Sequence, residues 1–174
     1  GKSTLVSQWL GDADLQSAWL SLDETDSDLR TFLSYFVAAI CTVEPKACQD
    51  TIALLAAGDL PDASTLASCL GNDLDAITIR FVLVLDDYHL ISDPAIHDLL
   101  VNLLKHPAQS VHLVIIARRN PPFPLSSLRA QGVLNEIRVQ DLQFRAEETG
   151  ALIEQDAGCR VSRKALSHVQ KLTE

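Results

Sequence analysis

Two short stretches contain residue types that handle phosphate. The chain begins with Gly1-Lys2-Ser3-Thr4, and the apolar run 81–85 leads directly into Asp86 and Asp87. Gly-Lys-Ser matches the second half of the phosphate-loop pattern G-x-x-x-x-G-K-[ST]. In that pattern, backbone N–H groups approach phosphate oxygens at glycine, lysine reaches the terminal phosphates and the hydroxyl binds magnesium. Either stretch alone is a modest signal, but the two together predict a nucleotide site.

The expected cofactors are ATP or ADP with Mg²⁺, and the roles of the residues follow from their chemistry. Gly1 and Thr4 belong to the phosphate loop, in which Lys2 is expected to contact the β- and γ-phosphates and Ser3 to hold Mg²⁺ directly. Asp86 is expected to support the ion through a bound water. Asp87 would then be the free acceptor that orients or deprotonates the attacking water. The two aspartates alone also fit a solvated strand end.

Three further side chains could take part in such a site. Arg118 follows a second apolar run, 111–117, and its planar fork could distinguish a triphosphate from a diphosphate. Arg129 is interpreted as a second phosphate contact or an interdomain contact. His89, just beyond the carboxylates, fits either a relay toward the next domain or a histidine packed at a strand end. Arg119 and the remaining histidines, including His97, are expected to be solvated, structural or exposed.

Alternating strands and helices must position these residues. Apolar runs without a two-residue period predict strands buried on both faces. Strands alternating with helices of about ten or more residues predict a parallel α/β sheet with right-handed crossovers, as in a three-layer P-loop NTPase sandwich. The predicted strands cover residues 17–22, 81–86, 111–117 and 134–139. The predicted helices cover 2–10, 28–41, 47–57, 62–77, 94–105 and 125–131, and another helix begins at 144.

The start and end of the sequence predict a fragment. A working phosphate loop follows a strand, so we expect a first strand and the glycine-rich front of the loop upstream of Gly1. The last residues, 170–174, lie in a helical pattern without a cap or a glycine stop, so we expect more chain downstream.

Composition limits the class of protein. The net charge of −9 at pH 7 gives these residues no electrostatic footprint for nucleic acid. No apolar run approaches the roughly 20 residues that span a bilayer. The cysteines at 41, 48, 69 and 159 lack C-x-x-C spacing, which argues against a zinc site. We expect them to be buried free thiols in a reducing, cytoplasmic environment.

Several stretches together resemble the MalT-like, LuxR-type large transcriptional regulators, which belong to the signal-transduction ATPases with numerous domains (STAND). The resemblance follows nearly the whole chain in order. The stretches are Gly1-Lys2-Ser3-Thr4, Gln8-Trp9, Trp19-Leu20-Ser21-Leu22-Asp23-Glu24 with Asp26 and Asp28, Val84-Leu85-Asp86-Asp87-Tyr88-His89, Arg118 with Pro121-Pro122, Leu128-Arg129, Leu142-Gln143-Phe144 and Glu147-Glu148. At one position, Ser27, many relatives carry asparagine.

The resemblance implies an ATP/ADP switch in a signal-responsive regulator. The ADP form would be a closed monomer, inducer and ATP would favour an open, self-associating form, and weak ATPase activity would reset the switch. It also implies an NB-ARC/STAND-like core over residues 1–141, related to AAA-type ATPases. Residues 142–174 would begin a helical lid or winged-helix segment. Inducer-sensing repeats and a C-terminal helix-turn-helix that binds DNA would follow.

Other classes of protein remain as alternatives. A transporter ATPase should carry a Leu-Ser-Gly-Gly-Gln-like segment before its carboxylate strand, and a small-molecule kinase an arginine-rich lid; neither is present in the sequence. A scaffold that holds nucleotide and scarcely hydrolyses it, with no transcriptional role, is the alternative outside the enzymes.

Overall fold

Three parallel strands form the sheet around which the described part of the chain is built. They are β1 (Ser17–Ser21), β2 (Phe81–Asp86) and β3 (Val111–Ile115), in the spatial order β1-β2-β3. The register aligns Trp19 with Val84, and Val84 with Val114. Because the strands are parallel, their carboxyl ends lie at the same edge of the sheet, so Asp86 lies at the edge where ligands bind in such folds.

The computed structural model describes residues 1–142 and residue 148. Contacts group Gly1–Leu128 into one compact unit and Arg129–Glu174 into a second. The predicted boundary between 141 and 142 stays a prediction. Within the described residues the helices are α1 (Lys2–Asp12), α2 (Leu29–Val43), α3 (Gln49–Ala56), α4 (Ala63–Asp75), α5 (Pro94–Leu103), α6 (Leu125–Ala130) and α7 (Val139–Leu142). The helix predicted from 144 falls almost entirely outside the described residues.

Aspartate caps set the starts of three helices. Asp28 accepts the Thr31 N–H at 2.9 Å, and Asp62 accepts the Thr65 N–H at 3.0 Å. Asp93 accepts the Ala95 N–H at 2.9 Å, immediately before Pro94 at the first helical position of α5. Each carboxylate satisfies an amide that the helix itself leaves without a partner, which fixes where α2, α4 and α5 begin.

The two faces of the sheet are covered by different helices. Alternate β2 residues, Phe81, Leu83 and Leu85, join a large buried cluster with side chains of α2, α4 and α5. The residues between them, Val82 and Val84, form a small cluster on the other face. Its other buried members are Leu10 of α1 and Ile116, with Val6, Trp19 and Val114 partly buried around it. Helices on both faces of a parallel sheet confirm the predicted three-layer α/β architecture.

The strand predicted over 134–139 is wrong. Residues 133–138 form neither helix nor strand, and α7 begins at Val139. The Arg138 N–H donates to Asp141 Oδ2 at 2.8 Å, and the Asp141 N–H donates back to the Arg138 carbonyl at 2.9 Å. These bonds close a helical turn where a ladder would have to form. This apolar segment therefore does not pair with a strand of the sheet, and Ile137 remains 66 % exposed.

Three cysteines lie in the described part of the chain, and all are free thiols: Cys41, Cys48 and Cys69. Burial, with a smaller contribution from Asp73, raises the pKa of Cys48 to about 12, so its thiol stays protonated at neutral pH. Cys159 lies outside the described residues. No helix in residues 1–142 is long and apolar enough to cross a membrane.

Candidate nucleotide site

The first turn of α1 meets the end of β2 at one hydrogen bond. The Ser3 hydroxyl donates to Asp86 Oδ1 at 3.1 Å, although the two residues are far apart in the sequence. Asp86 is only 7 % exposed, and its Oδ1 also accepts the Asp87 N–H at 2.9 Å. The structure thus brings together two of the residues that the sequence singled out. The two hydrogen bonds also hold the Asp86 carboxylate in one orientation.

This pair fits a magnesium site that is completed by a ligand. Hydroxyl and carboxylate oxygens are the hard ligands that Mg²⁺ prefers, and Ser3 and Asp86 present one of each within hydrogen-bond distance. Among residues 1–142 and 148, no group of three or more His, Cys, Asp and Glu side chains could hold a metal ion. A magnesium ion held by Ser3 and Asp86 would take its remaining ligands from phosphate and water, as is usual at nucleotide sites.

Asp87 differs from Asp86 in conformation and exposure. Its backbone is left-handed, with φ of 54°, and its side chain is 49 % exposed. The carboxylate oxygen Oδ1 lies 3.8 Å from Nδ1 of His89, whose side chain is only 10 % exposed. That nitrogen is buried and makes no hydrogen bond within the described part of the chain. Asp87 therefore presents a solvent-accessible carboxylate beside a packed histidine.

The remaining loop residues lie at the positive end of α1. Gly1 is the N-cap of the helix, and its carbonyl accepts the Leu5 N–H at 3.0 Å. Lys2 and Thr4 are exposed. Free amides and the helix macrodipole make this terminus suitable for an anion.

Arg118 begins an exposed segment just after β3. The backbone before it is fixed beside β2, because the Ile116 N–H donates to the Leu85 carbonyl at 2.9 Å. The Ile116 carbonyl in turn accepts the Tyr88 N–H at 3.1 Å. Arg118 therefore leaves the sheet at the same edge as Asp86 and Asp87, with its side chain exposed. Arg119 is exposed as well.

Arg129 belongs to the second unit and has a carboxylate partner there. It forms a two-pronged ion pair with Glu136, in which Nη2 lies 3.2 Å from Oε1 and Nε bonds Oε2. Arg138 Nη2 lies 2.5 Å from the same Oε1. The hydrogen bond to Arg129 lowers the pKa of Glu136, so the pair is charged on both sides at neutral pH. The assignment of Arg129 to nucleotide stays a prediction.

Contacts of two residues near the strand tips, Tyr88 and Ser27, were missed by sequence reasoning. The Tyr88 hydroxyl bonds Nδ1 of His97 at 2.7 Å, and the Tyr88 ring lies 5.6 Å from that of Phe123. The hydroxyl of Ser27 accepts the Ser92 N–H at 2.9 Å and donates to a carbonyl at Leu90, which ties the loop after β1 to the loop after β2. No local spacing could reveal these contacts, because each joins separate segments of the chain.

Comparison with known proteins gives consistent relatives. The chain is 37% identical to the HTH-type transcriptional regulator MalT of Klebsiella pneumoniae over 149 residues. These residues make up 85% of this chain. It is 34% identical over 163 residues to the MalT of Yersinia enterocolitica, and 34% identical over 162 residues to that of Yersinia pestis. Each of these two matches covers 93% of the chain. The chain is similar to part of these regulators.

The match to MalT concerns only part of each regulator. The chain spans 16% of the length of the Klebsiella protein and 17% of the Yersinia proteins. No family model matches the chain. The resemblance to MalT-like regulators stated from the sequence motifs is confirmed.

Proposed function

We propose that this chain is the nucleotide-binding module of a MalT-like transcriptional regulator and that it binds ATP or ADP with Mg²⁺. The observation that supports this best is the Ser3–Asp86 hydrogen bond at 3.1 Å. It joins the phosphate-loop sequence to the carboxylate strand in the arrangement that a magnesium–nucleotide site requires. The similarity to regulators named MalT supports the regulatory role.

The exposure and charge of each residue indicate its role in the proposed reaction. Lys2 and the free amides at the start of α1 would bind phosphate oxygens, and Ser3 with Asp86 would hold the ion. The exposed carboxylate of Asp87 would orient the attacking water, and Arg118 would contact the terminal phosphate. Bound magnesium would neutralise charge on the transferred phosphoryl group. The slow hydrolysis proposed here resets an ATP/ADP switch.

The topology indicates which edge of the sheet a strand that leads into the phosphate loop would occupy. The connections from β1 to β2 and from β2 to β3 pass over the face covered by α2, α4 and α5, whereas α1 covers the other face. Parallel crossovers are right-handed, so a strand leading into α1 and then β1 must lie beyond β3. Among the described residues no strand pairs with that outer edge of β3. The phosphate site would lie between β3 and that strand, where helices change faces.

The finer regulatory steps belong to the whole protein. We propose that ATP and an inducer favour self-association, that ADP favours a closed monomer, and that DNA is bound through a helix-turn-helix outside this chain. The net charge of −9 agrees with a module that does not itself contact DNA.

Nucleotide binding tests the proposal directly. ATP and ADP affinity should be measured by titration with and without Mg²⁺, in the full-length protein that carries residues 1–174. We expect Lys2→Ala to weaken ATP binding by at least about tenfold, since it removes a charge-assisted contact to phosphate. Lys46→Ala, at another exposed lysine, is the matched control and should bind normally. Failure of the unaltered protein to bind either nucleotide would contradict the proposal.

Turnover separates a cycling switch from a static scaffold. We expect Asp87→Ala to bind ATP but hydrolyse it at least about a hundredfold more slowly, trapping the ATP form, because the water loses its acceptor. Asp12→Ala removes an exposed carboxylate from α1 and should leave turnover unchanged. Equal hydrolysis by the unaltered protein and Asp87→Ala would favour the scaffold alternative.

A further inference from the structure

An aromatic cluster joins the segments that carry Asp87 and Arg118, the residues proposed to orient the attacking water and to contact the terminal phosphate. It consists of Tyr88, His97 and Phe123, with ring centroids 5.6 Å apart for Tyr88 and His97, 5.6 Å for Tyr88 and Phe123, and 6.3 Å for His97 and Phe123. The members come from the turn after β2, from α5 and from the loop after β3. Three separate segments therefore meet at one buried side chain, Tyr88, which is 1 % exposed.

Tyr88 is joined both to Asp87 and to the segment that carries Arg118. It follows Asp87 directly, and its N–H donates to the Ile116 carbonyl at 3.1 Å, two residues before Arg118. Its ring packs on Phe123, in the loop that Arg118 enters. The backbone of that loop is itself held, since the Phe123 N–H donates to the Pro121 carbonyl at 2.7 Å. Tyr88 is thus a common anchor for the segments that carry Asp87 and Arg118.

The conformation of Asp87 needs such an anchor. A left-handed backbone is unfavourable at a residue other than glycine, so it persists only where neighbouring contacts hold it. Backbone hydrogen bonds of Asp87 supply part of that hold, because its N–H donates to Asp86 Oδ1 at 2.9 Å and its carbonyl accepts the Leu90 N–H at 3.0 Å. Tyr88 adds to it, because this next residue is fixed by a backbone hydrogen bond, a side-chain hydrogen bond and ring packing.

The protonation states at neutral pH suit the Tyr88–His97 hydrogen bond. Burial lowers the pKa of His97, although Asp93 and Asp98 oppose the shift, so the imidazole is neutral at pH 7. Burial raises the pKa of Tyr88, so its hydroxyl keeps its proton. A neutral imidazole that carries its own proton on Nε2 can accept the hydrogen bond from the Tyr88 hydroxyl at Nδ1.

We infer that Tyr88 is a positioning residue for ATP hydrolysis, which holds the Asp87 carboxylate in a fixed relation to Arg118 through His97 and Phe123. The inference rests on the proposed function, since it concerns the same reaction. A positioning residue acts on the geometry of the reacting groups, so its loss should slow the chemical step more than it weakens nucleotide binding.

The test compares two tyrosines in the full-length protein that carries these residues. Tyr88→Phe removes only the hydroxyl that bonds His97, and Tyr35→Phe removes a hydroxyl from a side chain that is 51 % exposed. ATP turnover at saturating ATP and Mg²⁺ and the Kd for ADP are measured for both. We expect Tyr88→Phe to lower kcat by about tenfold with the ADP Kd within about twofold of the unaltered protein. Tyr35→Phe should change neither.

A second pair of variants checks the hydrogen bond at its other end. His97→Asn keeps an acceptor close to the position of Nδ1, and His97→Leu removes it. We expect turnover to be higher in His97→Asn than in His97→Leu, while both bind ADP. Equal turnover in these two variants would contradict a role for the hydrogen bond.

The outcomes distinguish this inference from the proposed function. If the unaltered protein neither binds nor hydrolyses ATP, both are overturned. If it hydrolyses ATP and Tyr88→Phe has the same kcat as Tyr35→Phe, the inference alone is overturned. It is also overturned if Tyr88→Phe loses ADP affinity as much as turnover, since that result indicates a general loosening of the site.

Discussion

The two faces of the sheet differ in how much apolar structure covers them. One face is buried under α2, α4 and α5, in a cluster that includes Phe32, Phe36 and Ile40 of α2. The other is covered in the described residues by α1, and only four residues there are buried: Leu10, Val82, Val84 and Ile116. The thin face nevertheless carries the helix whose first turn bonds Asp86.

This difference separates the sources of stability and of activity. Burial of apolar area drives folding, so most of the stability of the described chain comes from the thick face. The proposed chemistry lies at the strand tips and at the start of α1, where side chains are exposed or only partly buried. Substitutions on the two faces should therefore have different consequences for unfolding.

The largest effect is expected on the thick face. Phe36→Ala should lower the free energy of unfolding by about 3 to 5 kcal/mol, because it leaves a cavity in a fully buried cluster. Urea denaturation of the 174-residue chain measures it. Tyr35→Ala, at the neighbouring but exposed position, should cost at most about 0.5 kcal/mol. Similar losses for the two variants would break the comparison of the faces.

A smaller effect is expected on the thin face. Leu10→Ala should lower the free energy of unfolding by about 2 kcal/mol, the low end for such a truncation, since few side chains surround Leu10. Urea denaturation followed by tryptophan fluorescence, to which Trp19 at this cluster contributes, measures the change. Leu5→Ala removes an exposed leucine of the same helix and serves as control. A loss equal to that of Phe36→Ala would show that the thin face is as strongly stabilising as the thick one.

The smallest effect concerns pH. Burial lowers the pKa of His97, so near pH 6.5 and below the unfolded chain binds more protons at this residue than the folded chain. The contribution to stability is complete above about pH 6.5 and is lost as the pH falls through that value toward the folded pKa. Urea denaturation at about pH 7.5 and about pH 5.5 should show a smaller decrease for His97→Asn than for the unaltered chain. Equal decreases would contradict the assignment.

Most of the elements could be predicted from the sequence because their signals are local. Asp28, Asp62 and Asp93 stand where a carboxylate caps the helix that follows, and an uninterrupted apolar run marked β2. The run 134–139 shows where this fails. Its apolar residues suited a strand, but a strand also needs a neighbouring strand with which to pair. The sequence of the segment itself does not show whether such a partner is available.

For the candidate site too, some features could be predicted from the sequence and others depend on the fold. Residue types alone made Lys2, Ser3, Asp86 and Asp87 the candidates, since phosphate and magnesium chemistry uses those groups. Only the folded chain brings Ser3 within 3.1 Å of Asp86, gives Asp87 its left-handed backbone and places Tyr88 against His97 and Phe123. Composition and short-range pattern determine which chemistry is available. Packing of distant segments determines where those groups meet, because such contacts depend on how helices and strands are stacked and not on their separation along the chain.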